Sequence, residues 1–404
     1  MKLHAYGRHT SSSALQQASH EVLLLCTTAN ISSKSQERLS RILAEGLDWE
    51  YLLKQAHFHG VVPLVTHNLV TDGFRNLIPQ PYLDHLNRSY HHTLFKNVIF
   101  STEMAKVLSA FNQHSISAIP LKGTVLAEIL YGNPALREMW DTDILVHPAD
   151  VPRANSVLVE LGYKQLNITP MRKHPFHEFP YCKQAQFSIY LELHHDLDDR
   201  VLVSVPEQEI WHRARPLQLQ GMSTLVLSPE DNLLFLSTHL CKQNAELLKY
   251  IGDISELLKK YEATLDWDYT VASAHSWQVE SAAYYALTRA RDLLGAPVPA
   301  SVLDTLKPGL WRRWLIGFLV SQTNLVKPIK GNKLRDWTMV LARCLMMKHT
   351  RQMLVVLSRQ QGSGKKGTWL RTAGWIMLVF IAGLGRNIGM FSRKKLLKGP
   401  VVTF

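Results

Sequence analysis

The sequence predicts an α+β protein in which a small mixed β-sheet is embedded in a mostly helical chain. Segments with strand and helix patterns alternate over about eighty residues, between positions 117 and 196, which is typical of a compact α/β unit. Stretches with apolar residues three or four positions apart lie on both sides of this unit. Such spacing predicts amphipathic helices.

The composition is that of a globular protein. Of 404 residues, 46% are hydrophobic and 19% are charged, which excludes a disordered or collagen-like chain. The cysteines, Cys26, Cys182, Cys241 and Cys344, form no Cys-x-x-Cys pair. This spacing indicates reduced thiols in a cytosolic protein and no zinc site.

The N-terminal part, residues 1–115, is predicted to be helical. Trp49, Leu52 and Ala56 have helical spacing, and Asp48 precedes them as a plausible N-cap. A long amphipathic helix is expected from about position 82 to 114.

The α/β core is predicted over residues 116–220. Its elements in order are strand 117–123, helix 124–132, strand 139–147, helix 148–162 and strand 187–196. Glycines end both helices, and the last strand alternates apolar and polar residues, as a half-buried strand does. A helical domain follows over 221–360, where Ser228 is the expected N-cap and Pro229 the first helical residue.

A strongly basic region ends the chain. Residues 306–404 contain nineteen Lys or Arg against one acidic residue, Asp336. Such a block favours phosphate groups on a membrane, nucleic acid or partner. Within the predicted tail, 361–404, the apolar segment 372–385 is shorter than the roughly 20 residues of a membrane-spanning helix. It fits an interfacial helix on anionic lipid or a helix buried in the core. The N-terminus has no apolar segment typical of an export signal, so we expect a cytoplasmic protein. If the basic region binds lipid, the protein would lie peripherally on the inner face of the membrane.

The Asp141-Thr142-Asp143 motif is the sharpest local feature. In a strand, residues i and i+2 point to the same face, about 7 Å apart between Cα atoms. Two carboxylates so placed repel each other unless a cation lies between them, and Mg²⁺ or Mn²⁺ prefers such oxygen ligands. An Asp-x-Asp pair also occurs in solvated loops. Glu192 on the last predicted strand could complete a three-carboxylate cluster if the two strands share a sheet.

Phosphate-binding residues are expected nearby. Lys122, Gly123 and Thr124 lie where a strand meets a helix, and there a glycine and helix amides can approach a phosphate. Arg137 could clamp a phosphate with two hydrogen bonds. His174, His177 and Glu178 are residue types that bind metals, but their spacing matches no zinc motif, so we assign them no site.

Taken together, these motifs resemble a bacterial nucleotidyltransferase family of the polymerase-β nucleotidyltransferase superfamily. The resemblance is carried by Leu121-Lys122-Gly123, Arg137, Asp141-Thr142-Asp143-Ile144-Leu145-Val146, Gly162-Tyr163 and Leu191-Glu192-Leu193-His194. With the flanking helices it covers about residues 23–258. The chain departs from the superfamily pattern in having Thr124 for a serine, Glu192 for an aspartate, and a longer gap between Gly123 and Asp141.

The resemblance implies a metal-dependent transfer of a nucleotidyl group from an NTP to a hydroxyl acceptor, with release of pyrophosphate. It implies two Mg²⁺ or Mn²⁺ ions, with Asp141 and Asp143 as ligands of both and Glu192 of one. Gly123 and Thr124 would hold the triphosphate. The acceptor, the base preference and the oligomeric state cannot be read from the sequence.

Further residues have two interpretations each. His194 shares the strand face of Glu192, and His239, Lys249 and Asp253 lie on predicted helices within the region of resemblance. The resemblance allows these four to contact the base or the acceptor. Alternatively, His194 is a histidine at a sheet end without a chemical role, and Lys249 and Asp253 form a surface ion pair at i, i+4.

Two other functions are weighed against the enzyme. One is a catalytically silent protein that keeps the fold and docks at an anionic membrane through its basic C-terminal region. The other is nucleic-acid binding, which the charge would serve, but a groove-reading motif and interleaved aromatic residues are missing. The intact set Asp141, Asp143 and Glu192 favours the enzyme.

Overall fold

The computed structural model describes residues 12–71, 73–166, 178–198, 203, 205–242, 247–310, 312 and 313. The basic tail, including 372–385, lies outside the described residues, so the membrane predictions made on it stay predictions. Across the described part of the chain, no helix combines the length and the apolar character needed to cross a membrane.

Helices dominate the described chain, as predicted. They are α1 Ser12–Leu25, α2 Ser33–Glu45, α3 Trp49–His59, α4 Val62–Thr71, α5 Gln80–Gln113, α6 Gly123–Leu126 (continued by a π-helical turn, Ala127–Tyr131), α7 Val151–Glu160, α8 Glu207–Arg213, α9 Pro229–Lys242, α10 Leu248–Lys260, α11 Trp267–Ser276, α12 Glu280–Leu294 and α13 Ala300–Leu306. Short 3₁₀ turns lie at Arg75–Leu77 and Pro148–Asp150.

The strands form a mixed sheet and a separate hairpin. The strands are β1 Ala118–Leu121, β2 Thr142–Val146, β3 Lys164–Gln165, β4 Glu178–Gln184, β5 Ser188–His194, β6 Arg215–Leu219 and β7 Met222–Val226. The sheet order is β1-β2-β5-β4-β3, and β6 pairs with β7. β2 and β5 are parallel, whereas the other pairs in the sheet are antiparallel. The predicted α+β class with a small mixed sheet is confirmed.

Local capping explains several boundaries. Asp48 Oδ1 accepts a hydrogen bond from Tyr51 N at 2.9 Å, and Ser228 Oγ accepts one from Asp231 N at 3.1 Å. Both satisfy amides that the first helical turn would otherwise leave unpaired. The two predicted N-caps are therefore confirmed.

Strands β3, β4, β6 and β7 were not anticipated. β4 contains Pro180, and β3 is only two residues long, so neither shows a clear strand pattern. The hairpin turns at Gln220-Gly221, where both residues have positive φ, as tight hairpin turns require.

One face of the sheet is apolar and the other carries the polar residues. Ile144 of β2 and Leu193 of β5 are buried in a core cluster together with Phe111 of α5 and Leu158 of α7. The alternate residues of β2 and β5 therefore point to the opposite face, toward α9 and α10. A second hydrophobic core cluster lies on that side of the sheet.

This second cluster joins the two ends of the described chain. It contains Val22 and Leu52 from the N-terminal helices and Ile254 and Leu287 from the later helices. The described residues of the regions 1–115 and 221–360 thus share one hydrophobic core around the sheet. The proposed boundaries at 115, 220 and 360 stay a prediction.

Candidate functional site

The parallel pairing of β2 with β5 brings the carboxylates together. Asp143 is the direct Cα partner of Glu192 in this register. Residues paired in this way project from the same face, and both lie opposite the apolar face that packs on α5 and α7. The structure therefore places Glu192 beside the Asp-x-Asp motif, as the sequence analysis required for a cluster.

A compact group of metal-binding residue types forms at this point. Asp143, Glu192 and His194 each offer a ligand atom, and these atoms all lie within 4.8 Å of one another. His194 Nε2 lies 3.1 Å from Asp143 Oδ1 and 3.6 Å from Glu192 Oε2. Glu178 Oε2 on the neighbouring strand lies 3.8 Å from the same nitrogen.

Asp141 lies beside this group in the same pocket. The pocket has a volume of about 200 Å³, and its wall includes Asp141, Asp143 and Glu192. Asp141 directly precedes β2, and it is less buried than Asp143, which is 1% exposed. The compact group itself consists of two carboxylates and one imidazole, without Asp141, and this set fits a divalent cation that accepts oxygen and nitrogen ligands. The residues present therefore fit the metal that the sequence analysis expects.

Lys122 reaches the same carboxylate from the loop after β1. Its Nζ lies 2.8 Å from Asp143 Oδ1. Its backbone has φ +48° and ψ −126°, a conformation that side-chain-bearing L-residues rarely adopt and that costs free energy. Strain of this kind is common at functional sites, and here it directs the ammonium into the pocket.

The glycine after Lys122 allows the loop to approach the Asp-x-Asp segment closely. A Cβ atom at Gly123 would lie 3.3 Å from Met139 Sδ and 3.5 Å from the carbonyl oxygen of Asp141. Thr124 is 3% exposed. Its Oγ1 is buried without a hydrogen-bond partner among the described residues, and Thr124 is not among the residues of the pocket wall. The triphosphate role of Gly123 and Thr124 stays a prediction.

Arg137 is held by an acidic residue more than a hundred positions away. Its Nε donates to Asp253 Oδ1 and its Nη2 to Asp253 Oδ2, both at 2.9 Å. Tyr131 donates its hydroxyl to the same carboxylate at 3.0 Å. The side chains of Arg137 and Asp253 are 4% and 0% exposed. The pair ties α10 to the segment before the Asp-x-Asp motif, and the predicted phosphate contact of Arg137 stays a prediction.

The alternative interpretation of Lys249 and Asp253 as a surface ion pair is wrong. Lys249 is 9% exposed, and Asp253 is fully buried with Arg137 as its partner. The Lys249 Nζ instead donates to the carbonyl oxygen of Glu138 at 3.4 Å. The i, i+4 spacing indicates shared orientation on the helix, but the buried guanidinium of Arg137 competes successfully for the carboxylate.

The remaining candidates also reach the pocket. His239 of α9 and Lys249 of α10 are part of its wall, and the His239 ring packs edge-on against Tyr250 with centroids 4.8 Å apart. Asp253 is not part of the wall, but its carboxylate holds Arg137, which is. Contact of these residues with a base or an acceptor stays a prediction.

The titratable groups of the cluster have pKa values shifted in opposite directions. Burial opposes the charged form of Asp143, but Lys122 and His194 outweigh it and hold the pKa of Asp143 well below its usual range. Burial alone would lower the pKa of His194, yet its bonds to Asp143 and Glu192 raise that pKa to about 9. Burial and the charge of Asp143 raise the pKa of Glu192, with His194 acting against them. Burial, then the charge of Asp143, also raises the pKa of Asp141.

Opposite shifts in neighbouring carboxyl groups are typical of acid–base sites. Asp143 remains charged over the whole useful pH range, whereas Glu192 holds a proton more readily than an ordinary glutamate. Asp143 is therefore suited to bind a cation.

Several residues of the pocket wall were not singled out from the sequence. The pocket wall includes Glu138, Trp140, Phe235 and Tyr250. It also includes Glu178, to which the zinc-motif spacing assigns no site. Glu138 and Trp140 adjoin the Asp-x-Asp motif, so their position in the sequence was a usable signal. Phe235, Tyr250 and Glu178 reach the pocket by tertiary packing, for which the sequence offers no local signal.

Comparisons with known proteins identify the family. Residues 45–295 match the model of a family described as uncharacterised nucleotidyltransferase. No curated protein matches the chain. A solved structure of an antigenic nucleotidyltransferase-like protein from Paracoccidioides brasiliensis is similar at 12% identity and a TM-score of 0.30, over 50% of this chain and 95% of that one. The family model spans more than half of the sequence and includes both strands of the carboxylate cluster. The chain therefore belongs to this family of uncharacterised nucleotidyltransferases.

Proposed function

We propose that the protein is a metal-dependent nucleotidyltransferase of the polymerase-β type. It moves an NMP group from an NTP to a hydroxyl group of an acceptor and releases pyrophosphate. The observation that carries this proposal is the convergence of Asp143, Glu192 and His194 in one pocket with Asp141 and Lys122. Membership of the nucleotidyltransferase family supports it.

The metal would be held by the carboxylates of Asp141, Asp143 and Glu192. His194 would join them as a ligand only after release of its ring proton, because its pKa is about 9 in the metal-free site. We propose two Mg²⁺ or Mn²⁺ ions, as the family resemblance implies. When bound, such ions neutralise charge on the triphosphate and lower the pKa of the acceptor hydroxyl.

The chain's own residues have separate tasks in this reaction. The acceptor oxygen forms a bond to the α-phosphorus, and the bond from that phosphorus to the leaving pyrophosphate oxygen breaks. Glu192, or a water molecule, takes the hydroxyl proton. The ammonium of Lys122 stabilises the negative charge that develops on the phosphates, as would a phosphate contact from Arg137.

Binding measurements with the full chain test the metal site directly. We expect Asp143→Asn to abolish Mn²⁺-dependent binding of ATP and all nucleotidyl transfer, with the fold retained. Asp231→Asn is the matched control, because Asp231 is fully buried and bonded to Ser228 outside the pocket. Calorimetry measures binding, and circular dichroism checks the fold. Full ATP binding or turnover in folded Asp143→Asn would refute the assignment.

The acceptor can be sought without knowing its class. The protein is incubated with labelled NTPs and a bacterial extract, and the product that acquires label is identified. Label should depend on Mn²⁺ or Mg²⁺ and disappear in Asp143→Asn and Glu192→Gln. Label that persists in both variants would place the activity elsewhere.

The second candidate is the catalytically silent protein docked at an anionic membrane, and the excess of nineteen basic residues over one acidic residue in 306–404 supports it. Vesicles of phosphatidylserine and phosphatidylcholine should pellet the full chain in low salt and release it in high salt. Transfer of label in the presence of metal would exclude a silent protein, whatever the vesicles show.

A further inference from the structure

An exposed tryptophan stands at the wall of the pocket. Trp140 directly precedes Asp141 and belongs to the pocket wall. It is 64% exposed, although an indole normally contributes to stability by burial. Consecutive Cα atoms are about 3.8 Å apart, so the indole begins one residue from the carboxylate that is predicted to bind the metal.

The indole is contacted by a cation. Lys96 of α5 places its Nζ 3.8 Å from the centroid of the Trp140 ring and 5.7 Å from that of Phe100. An ammonium at this distance over an indole is a favourable cation–π contact that orients the ring. With Lys96 over the ring, most of the surface of Trp140 is still exposed and open to a ligand.

A flat aromatic group of a ligand suits this arrangement. An exposed indole stacks on any nucleobase, since every base has a π-face, and such stacking is strong and tolerant of sequence. The phosphates of an NTP would lie at the adjacent acidic and basic side chains of the pocket, Asp141, Asp143 and Lys122. The base would then lie beyond Asp141, on the side of Trp140.

We propose that Trp140, supported by Lys96, is the stacking platform for the nucleobase of the NTP. This inference rests on the proposed function and adds the place where the base binds. Stacking reads the π-face and not the hydrogen-bonding edge, so the platform accepts all four bases, with purines bound most tightly because they stack most strongly.

The test compares ATP with inorganic tripolyphosphate, which has the same three phosphates but no base. Calorimetry with the full chain and Mn²⁺ measures both ligands in the wild type and in Trp140→Leu. We expect the substitution to weaken ATP binding about tenfold to a hundredfold, the effect of losing one base–aromatic stack. Tripolyphosphate should bind both proteins equally.

A fluorescence measurement provides a second readout. ATP should quench tryptophan emission of the wild type, and this quenching should be lost in Trp140→Phe. Trp49→Phe is the matched control, because Trp49 is a partly buried tryptophan that stacks on Tyr82 outside the pocket wall. Quenching should persist in that control.

The outcomes separate this inference from the proposed function. Equal ATP affinity in the wild type and Trp140→Leu would overturn the platform, as would an equal loss of tripolyphosphate binding. An effect of Trp140→Leu on the acceptor alone would also overturn it and assign the indole to the acceptor. If wild-type protein bound neither ATP nor tripolyphosphate, the proposed function itself would fail.

Discussion

The ion pair between Arg137 and Asp253 yields a stability prediction of defined size. Both side chains are almost completely buried, and the two hydrogen bonds between them are 2.9 Å long. Asp253→Asn removes the negative charge and leaves the guanidinium of Arg137 buried without compensation. Breaking a buried pair on one side costs about 3–5 kcal/mol. We therefore expect the free energy of unfolding to fall by about that amount.

Urea denaturation followed by circular dichroism measures this change, because the midpoint and slope yield the free energy of unfolding. The control is Asp292→Asn, which breaks the Arg291–Asp292 pair, whose side chains are 42% and 51% exposed. Exposed pairs contribute about 0–1 kcal/mol. A loss below about 1 kcal/mol in Asp253→Asn would refute the reasoning.

A double variant separates the charge from the packing. Arg137→Met with Asp253→Leu removes both charges, and replacing a buried pair by apolar residues is often neutral or stabilising. We expect it to recover most of the stability lost in Asp253→Asn. With the fold recovered, weaker tripolyphosphate binding in the double variant would support the predicted phosphate contact of Arg137, and unchanged binding would limit Arg137 to positioning.

Two further predictions concern the lysines of the pocket. Burial, then the charge of Arg137, lowers the pKa of Lys249 from 10.5 to about 8. Between pH 8 and 10.5 the unfolded chain keeps this proton, whereas the folded protein has lost it. As the pH increases through this range, the free energy of unfolding of the wild type should therefore rise relative to that of Lys249→Met, by up to about 3 kcal/mol. A difference between the two proteins that does not change with pH would contradict this. Lys122→Gly and Lys122→Ala both remove the ammonium and the buried stem, but only glycine adopts φ +48° without strain, so urea denaturation should find the glycine variant about 1 kcal/mol more stable. An alanine variant of equal stability would show that the backbone at this position is not strained.

Much of the local structure could be predicted because it depends on neighbours in the sequence. The N-caps Asp48 and Ser228 were recognised from side-chain type and position, and both make the expected hydrogen bonds. The alternation in β5 placed Glu192 and His194 on one face, and the structure brings both to the pocket. Strands β3 and β4 were missed because β4 is added to the sheet by pairing with β5, and β3 by pairing with β4, and neither has a strand pattern of its own.

The candidate site was predicted in type but not in full composition. The Asp-x-Asp motif indicated a metal site, and the resemblance implied Glu192 as the third carboxylate. His194 had no clear role in the sequence, whereas its ring nitrogen lies among the carboxylates. One of the two interpretations placed Lys249 and Asp253 at the surface, but packing of α10 against α9, α12 and the π-helical turn Ala127–Tyr131 buries them.

The sequence by itself determined the main helical regions, the strands β1, β2 and β5, the family, and the residue types that could bind a metal, because periodicity, caps and motifs act over a few residues. Only the tertiary structure decided which of those residues meet. Parallel pairing joins Asp143 to Glu192 across 49 positions, and a buried ion pair joins Arg137 to Asp253 across 116. Such contacts form because the apolar faces of distant elements must share one core, and that requirement has no local signature.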